Sequence, residues 1–286
     1  MRTRSEREMF DLILGTAKAD ARVRAAVMNG SRASPSAPKD IFQDYDIVYV
    51  VAELASFTSD HSWIDVFGAR VMLQMPEAMR YPGGQGHFNY QMLFEDYNRI
   101  DLNLVPAGRL DLIGSDSQSV ALLDKDGILP AFAPASDADY LVRPPSELFF
   151  SSCCNNFWWC LQNVAKGIAR GEAPYALTML DTVVRAELRD VIEWHIGAQT
   201  GFTVTAGKMG RYFKLRLDAR LYEMYLKTYA GYDHIWDAVF VMCALFSELA
   251  RGVAGSLGYG YNHADEEKMT AYLRWVCQKT GGPRGP

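Results

Sequence analysis

Apolar and polar positions recur with different periods in the two halves of the chain. Over residues 5–19, Met9, Leu12, Ile13 and Ala17 fall on one helical stripe, with Glu6, Arg7 and Lys18 off it. This spacing predicts an amphipathic helix. Short β-rich runs then predict strands at 22–29, 44–52, 71–75, 89–95 and 99–105, with a short helix at 59–67. Asp96, Tyr97 and Asn98 separate the last two runs and predict an antiparallel pair joined by a turn. One proline and three glycines mark residues 80–87 as a loop.

Beyond about residue 130 the period lengthens. A proline-rich stretch, LPAFAPASDADYLVRPP (129–145), precedes five helical segments, at 146–170, 174–198, 208–229, 232–253 and 263–279. Pro174 suits a first helical turn, and Gly171 and Gly201 suit helix ends. The expected class is α+β: an N-terminal domain over 1–135 with a mixed sheet and flanking helices, then a helical bundle over 136–286.

Length and composition add bounds. The 286 residues are 49% apolar and 22% charged, enough for sizeable cores. The net charge of -5 disfavours a polyanionic partner and suits a cationic one, so no nucleic acid is expected. Five cysteines without a CxxC pair suggest reduced cytosolic thiols rather than disulfides or a zinc site. The charged start MRTRSEREMF lacks a leader's apolar run. The longest apolar stretch, 238–246, is too short to span a bilayer, so no membrane partner is expected.

Three pieces of the first half fit one chemistry. Gly30-Ser31-Arg32 follows a strand; the glycine permits a tight turn against a phosphate, Ser31 adds a hydroxyl and Arg32 a fork. Asp44 and Asp46 are two apart on a strand, so they share a face. Asp101 lies between Ile100 and Leu102, which would point oppositely into the core. Three like charges on one face call for a hard divalent cation. One or two such ions, roughly 3.5–4 Å apart when paired, would support in-line displacement at phosphorus.

The pattern GS-x(12)-DxD with a later strand aspartate resembles the DNA polymerase beta-type nucleotidyltransferases. The strings MNGSRASPSAPKDIFQDYDIVYVV, FTSDHSWIDVFGARVMLQMPE and NRIDLNLVP are similar to those of the aminoglycoside 6-adenylyltransferases, the streptomycin-modifying group, as are CCNNFWW and GKMGRYFKLRL. The resemblance spans most of the chain. It implies ATP as co-substrate, AMP transfer to a streptomycin hydroxyl (position 6), release of pyrophosphate and a bacterial cytoplasmic setting. It also implies that Asp44 and Asp46 bind magnesium. Asp101 completes the site or takes the hydroxyl proton; Glu95 and Asp96 are fallback bases, and Glu95 is also a candidate substrate contact.

A strongly cationic acceptor needs carboxylates and aromatic faces. The segment 181–194 offers Asp181, Glu187, Asp190, Glu193 and Trp194; Asp181, Glu187, Asp190 and Trp194 are the expected contacts. Arg185 and Arg189, interleaved among them, allow a plain solvated acidic face instead. Trp158 and Trp159 are expected to pack in the core. Lys208 and Lys214 are candidates to reach the triphosphate, and the five histidines are expected to be structural. Another acceptor, such as a lincosamide, or a non-catalytic nucleotide-binding module are the competing readings. Oligomeric state is not legible.

Overall fold

The computed structural model describes residues 2–79 and 86–281, so most of the expected loop at 80–87 lies outside the described residues. The chain forms two compact units, residues 1–139 and 140–286.

In the first unit, α1 (Glu6–Ala19) is followed by β1 (Val23–Asn29) and a 3-10 turn, Gly30–Arg32. Then come β2 (Tyr45–Val51), the short α2 (Ala55–Thr58), a 3-10 segment (His61–Phe67) and β3 (Arg70–Gln74). The short α3 (Pro76–Met79), β4 (Phe88–Phe94), β5 (Arg99–Pro106) and β6 (Val120–Asp124) complete the unit. The strands make one sheet in the order β3-β4-β5-β2-β1-β6. β2 and β5 are parallel; the other neighbours are antiparallel.

Period-2 alternation sorts the sheet's two faces. On one face, Ile47, Tyr49, Val51, Ile100, Leu102 and Leu104 pack with Met9, Ile13 and Ala17 of α1. The Tyr49 hydroxyl donates to the Ile13 carbonyl at 2.6 Å, pinning helix to sheet. A capping box starts α1: Ser5 accepts from the Glu8 amide while Glu8 accepts from the Ser5 amide. On the other face, Val27, Val48, Val50 and Val105 form a smaller apolar cluster with Ile113. Aspartates 46 and 101 sit on this second face, at the starts of β2 and β5.

The helical unit holds α4 (Glu147–Ala169), α5 (Ala173–Thr178), α6 (Arg185–Thr200), α7 (Phe213–Arg216), α8 (Ala219–Lys227), α9 (Ile235–Leu257) and α10 (His263–Thr280). Ser146 caps α4 by accepting from the Phe149 amide, and Phe150, Phe157, Leu161, Val164 and Ile168 form its core stripe. Phe157 stacks on Phe246 of α9 with centroids 3.6 Å apart. Residues 232–257 would be long and apolar enough to cross a bilayer by length and composition, but most of that window packs inside this unit.

Besides the short α2 and α3, which were not expected, and the 3-10 form of the helix expected at 59–67, the structure differs from the sequence expectation in three larger respects. The helix expected at 174–198 contains a π-helical turn, Met179–Val184. The helix expected at 208–229 is broken: Met209 adopts φ 57, Leu217 is extended, and Asp218 caps α8 by accepting from Leu221. Strand β6, unpredicted, gives β1 its outer partner.

Candidate active site

The turn after β1 is shaped by what lies beside it. Gly30 adopts φ +72, a left-handed conformation that disfavours side chains. A Cβ there would stand 2.2 Å from Oδ2 of Asp46. Glycine is therefore required both by its backbone and by the carboxylate packed against it. The Gln43 amide fastens the turn, donating to the Ser31 carbonyl at 3.2 Å and lying 3.5 Å from its hydroxyl. Arg32 departs from the expected phosphate fork. Its guanidinium donates to the carbonyls of Asp44 and Gln43 at 3.1 and 2.9 Å and lies 3.8 Å over the Tyr45 ring. That side chain is nearly buried and clamps the loop to the start of β2.

The sheet register brings the acids together. Asp46 is the direct parallel partner of Asp101 and the antiparallel partner of Asn29. Asp44 lies one residue before β2, on the Asp46 side by alternation. Burial, then the charges of Asp101 and Asp44, push the Asp46 carboxyl up to about 6; Arg99 and Arg32 offset part of this. The Asp46 carboxylate accepts no hydrogen bond from a described residue.

Arg99, which the sequence reading passed over, links the other two acids. Its Nε and Nη2 donate to the two oxygens of Asp101 at 2.8 and 2.6 Å, and Nη1 lies 3.5 Å from Oδ2 of Asp44. The available signal was positional: two residues before Asp101 on a strand, it had to share that face. Among the described residues no three acidic, histidine or cysteine side chains already stand at metal-ligand spacing. The donor chemistry nevertheless fits a hard divalent ion: carboxylate oxygens only, one acid without a hydrogen-bond partner, and a cation already drawn to the other two.

The fallback bases have other settings. Glu95 is exposed in the β4–β5 turn, its amide donating to Ala69. Asp96 is buried and forked by Arg4, with Nε at 2.6 Å and Nη2 at 3.0 Å. Arg4, with help from Asn98, holds its carboxyl well below the usual range. Asp96 fastens the N-terminal arm to the hairpin, a structural role in place of the expected fallback base.

In the helical unit the expected acids divide. Asp181 pairs with Nε of Arg185 at 2.7 Å, and Arg185, only 4% exposed, continues to the Thr228 carbonyl at 2.9 Å and the Tyr229 ring. Asp181 thus supports a buried arginine. Glu187 accepts from the Asn156 amide at 2.6 Å. Asp190 and Glu193 continue the α6 face at spacings of three. Burial raises the Asp190 carboxyl, and then Glu187; burial raises that of Glu193, and then Asp190. Trp194 is buried, its ring edge-on to Phe149 at 5.7 Å.

Trp158 packs in the core and donates to the Tyr261 hydroxyl at 3.2 Å. Trp159 is 63% exposed, against the core expectation. Successive residues 100° apart around a helix cannot both face one core. Lys208 and Lys214 are exposed, the first in the 3-10 turn and the second in α7. On a different side of α4 from Asn156, a cavity of about 890 Å³ is lined by Glu147, Ser151, Asn155, Trp158, Tyr261 and Asp265. Its α4 members, Glu147, Ser151, Asn155 and Trp158, recur at helical spacing, whereas Tyr261 and Asp265 reach it from a distant segment.

A mixed sheet with opposed aspartates beside a glycine turn, together with a helical unit, is the build of a nucleotidyltransferase. The sequence model for streptomycin adenylyltransferase matches residues 3–276, and the chain belongs to that family. An aminoglycoside 6-adenylyltransferase of Campylobacter jejuni is 38% identical over 97% of this chain and 98% of its own. Its counterpart from Bacillus subtilis (strain 168) is 37% identical over 96% and 98%. A crystal structure of an aminoglycoside 6-adenyltransferase from Bacillus subtilis aligns with 34% identity over 96% of this chain and 98% of its own, at a TM-score of 0.47.

Proposed function

We propose that this adenylyltransferase moves AMP from ATP to the 6-hydroxyl of streptomycin, conferring resistance. The acceptor hydroxyl gives up its proton to a site carboxylate or to solvent as its oxygen bonds to the α-phosphorus, the bond from that phosphorus to the bridging oxygen breaks, and pyrophosphate leaves. The observation that carries this reading is the register pairing of Asp46 with Asp101 under Gly30, with Asp44 alongside. These three carboxylates would hold Mg2+, which supplies neutralisation of phosphate charge. The Gly30-Ser31 turn would offer backbone and hydroxyl donors to that charge. ATP as co-substrate and five free thiols suit a reducing cytoplasm.

The names of the C. jejuni and B. subtilis relatives support position 6, and the family description supports streptomycin. The test is mass spectrometry of products from a panel of aminoglycosides and a lincosamide, each given ATP and Mg2+. Streptomycin should gain one AMP. An unmodified streptomycin beside another adenylylated acceptor would sink the substrate assignment.

The acidic face of α6 supports a cationic acceptor. Glu187, Asp190 and Glu193 repel one another in a half-buried setting, and a guanidinium would relieve that repulsion. Asp190→Asn is expected to raise the streptomycin KM about 10-fold, the scale of one charge-assisted hydrogen bond, with the ATP KM unchanged. Steady-state kinetics with each substrate varied separates the two. Equal KM values for streptomycin in parent and variant would remove Asp190 from the acceptor site.

A further inference from the structure

The Arg99 guanidinium and a divalent cation want the same oxygens. Arg99 uses both oxygens of Asp101 in a two-pronged pair and reaches toward Oδ2 of Asp44. A carboxylate whose two oxygens each accept a guanidinium proton has its best lone pairs engaged. Binding of a cation to Asp101 must therefore compete with this fork. Asp46, by contrast, accepts nothing from Arg99 and remains open to a cation. Arg99 is 42% exposed along its side chain, so it has room to swing away without dragging the core. It is anchored at the first residue of β5, and among the described residues its side chain pairs with these two acids.

We infer that Arg99 is an exchangeable fork: it holds Asp101 and Asp44 in the metal-free protein and moves onto the triphosphate when the cation takes the carboxylates. This rests on the metal reading of the three aspartates given above. The physical ground is conservation of charge pairing. A divalent ion satisfies the carboxylates, which leaves a guanidinium beside polyphosphate oxygens of matching fork geometry. Arg99 would thus be a nucleotide-contacting residue, and its grip on Asp101 would weaken cation binding until nucleotide arrives.

The experiment measures Mn2+ binding by electron paramagnetic resonance on the full chain, without nucleotide, alongside steady-state kinetics. Arg99→Gln should bind Mn2+ about 10-fold more tightly than the parent, while its ATP KM rises about 10-fold. Arg99→Lys keeps the charge but loses the fork. It should also bind Mn2+ more tightly, about 3-fold, and still show a raised ATP KM. Circular dichroism checks the fold of each variant.

A second readout needs no loss of the side chain. In the unaltered protein, Mg2+ alone should shift the Arg99 Nε–H resonance, assigned by its absence from the Arg99→Lys spectrum. Mn2+ affinity in Arg99→Lys equal to or below the parent's would overturn the exchange, because through-space charge would then explain the Gln variant. So would an Nε–H signal unmoved by saturating Mg2+ in a protein that binds Mn2+. Failure of Mn2+ to bind parent and variants alike would overturn the metal reading itself, and this inference with it.

Discussion

Replacing Asp46 with asparagine is expected to lower turnover roughly 10³-fold while leaving the protein folded. The variant removes a charged oxygen donor at the centre of the acidic face and keeps its volume. It should also change stability in a pH-dependent way. The folded protein holds the Asp46 proton more tightly than an unfolded chain does, because burial and the neighbouring acids push the carboxyl from 3.8 up to about 6. Stability linked to this group is therefore fully present below about pH 4 and is lost as the pH rises through 6. The loss amounts to roughly 2–3 kcal/mol in metal-free protein. Asparagine cannot ionise, so Asp46→Asn should melt higher than the parent at pH 8 in EDTA and about equally at pH 4. Mg2+ should narrow the gap at pH 8 by stabilising the parent. Melting curves at both pH values, with and without Mg2+, together with turnover, test the claim. Unchanged turnover, or identical melting in EDTA at pH 8, would remove Asp46 from the site.

Gly30→Ala is expected to be nearly as harmful although it introduces only a methyl group. Placing a side chain at φ +72 costs about 1–2 kcal/mol. The new Cβ would meet Oδ2 of Asp46 at 2.2 Å, so the carboxylate must rotate or the turn must open. Displacing a reacting-site group by about 1 Å costs on the order of 10²-fold in rate. Turnover should fall by that amount and melting should drop, whereas Asp46→Asn raises it in EDTA. The two substitutions act on one contact, so the double variant should be no slower than Asp46→Asn alone. Parent-like turnover in Gly30→Ala would show that the carboxylate is not held where the turn now holds it. Additive losses in the double variant would show that the turn acts on catalysis through something other than Asp46.

How much of this was legible before folding depended on range. Strand alternation placed Asp101 opposite Ile100 and Leu102, and the structure agrees because a sheet with one packed face admits a single register. The break inside 208–229 was less legible. Met209, Leu217 and Asp218 sit in an amphipathic pattern, yet a left-handed turn and a new N-cap interrupt it. Strand β6 was missed because five residues carry little periodicity, and it is a strand through its pairing with β1. Arg32 read as a phosphate ligand by its place after Gly-Ser, but the nearest acceptors in the fold are the carbonyls of Asp44 and Gln43. Asp96 read as a spare base, but Arg4, 92 residues earlier in the chain, forks onto it.

Sequence alone determined the elements whose cause is local: the capped α1, the glycine turn, the alternating strands, and the face on which each aspartate lies. Those follow from backbone sterics and from side-chain periods of 2 and 3.6 residues. Tertiary structure decided which charges meet. Arg99 on Asp44, Arg4 on Asp96 and Asn156 on Glu187 join segments far apart in the chain and set which acids are engaged, whereas Arg99 on Asp101 and Arg185 on Asp181 are local pairs. A long flexible cation takes the nearest acceptor in space, and most of that proximity comes from chain segments whose separation no local pattern records.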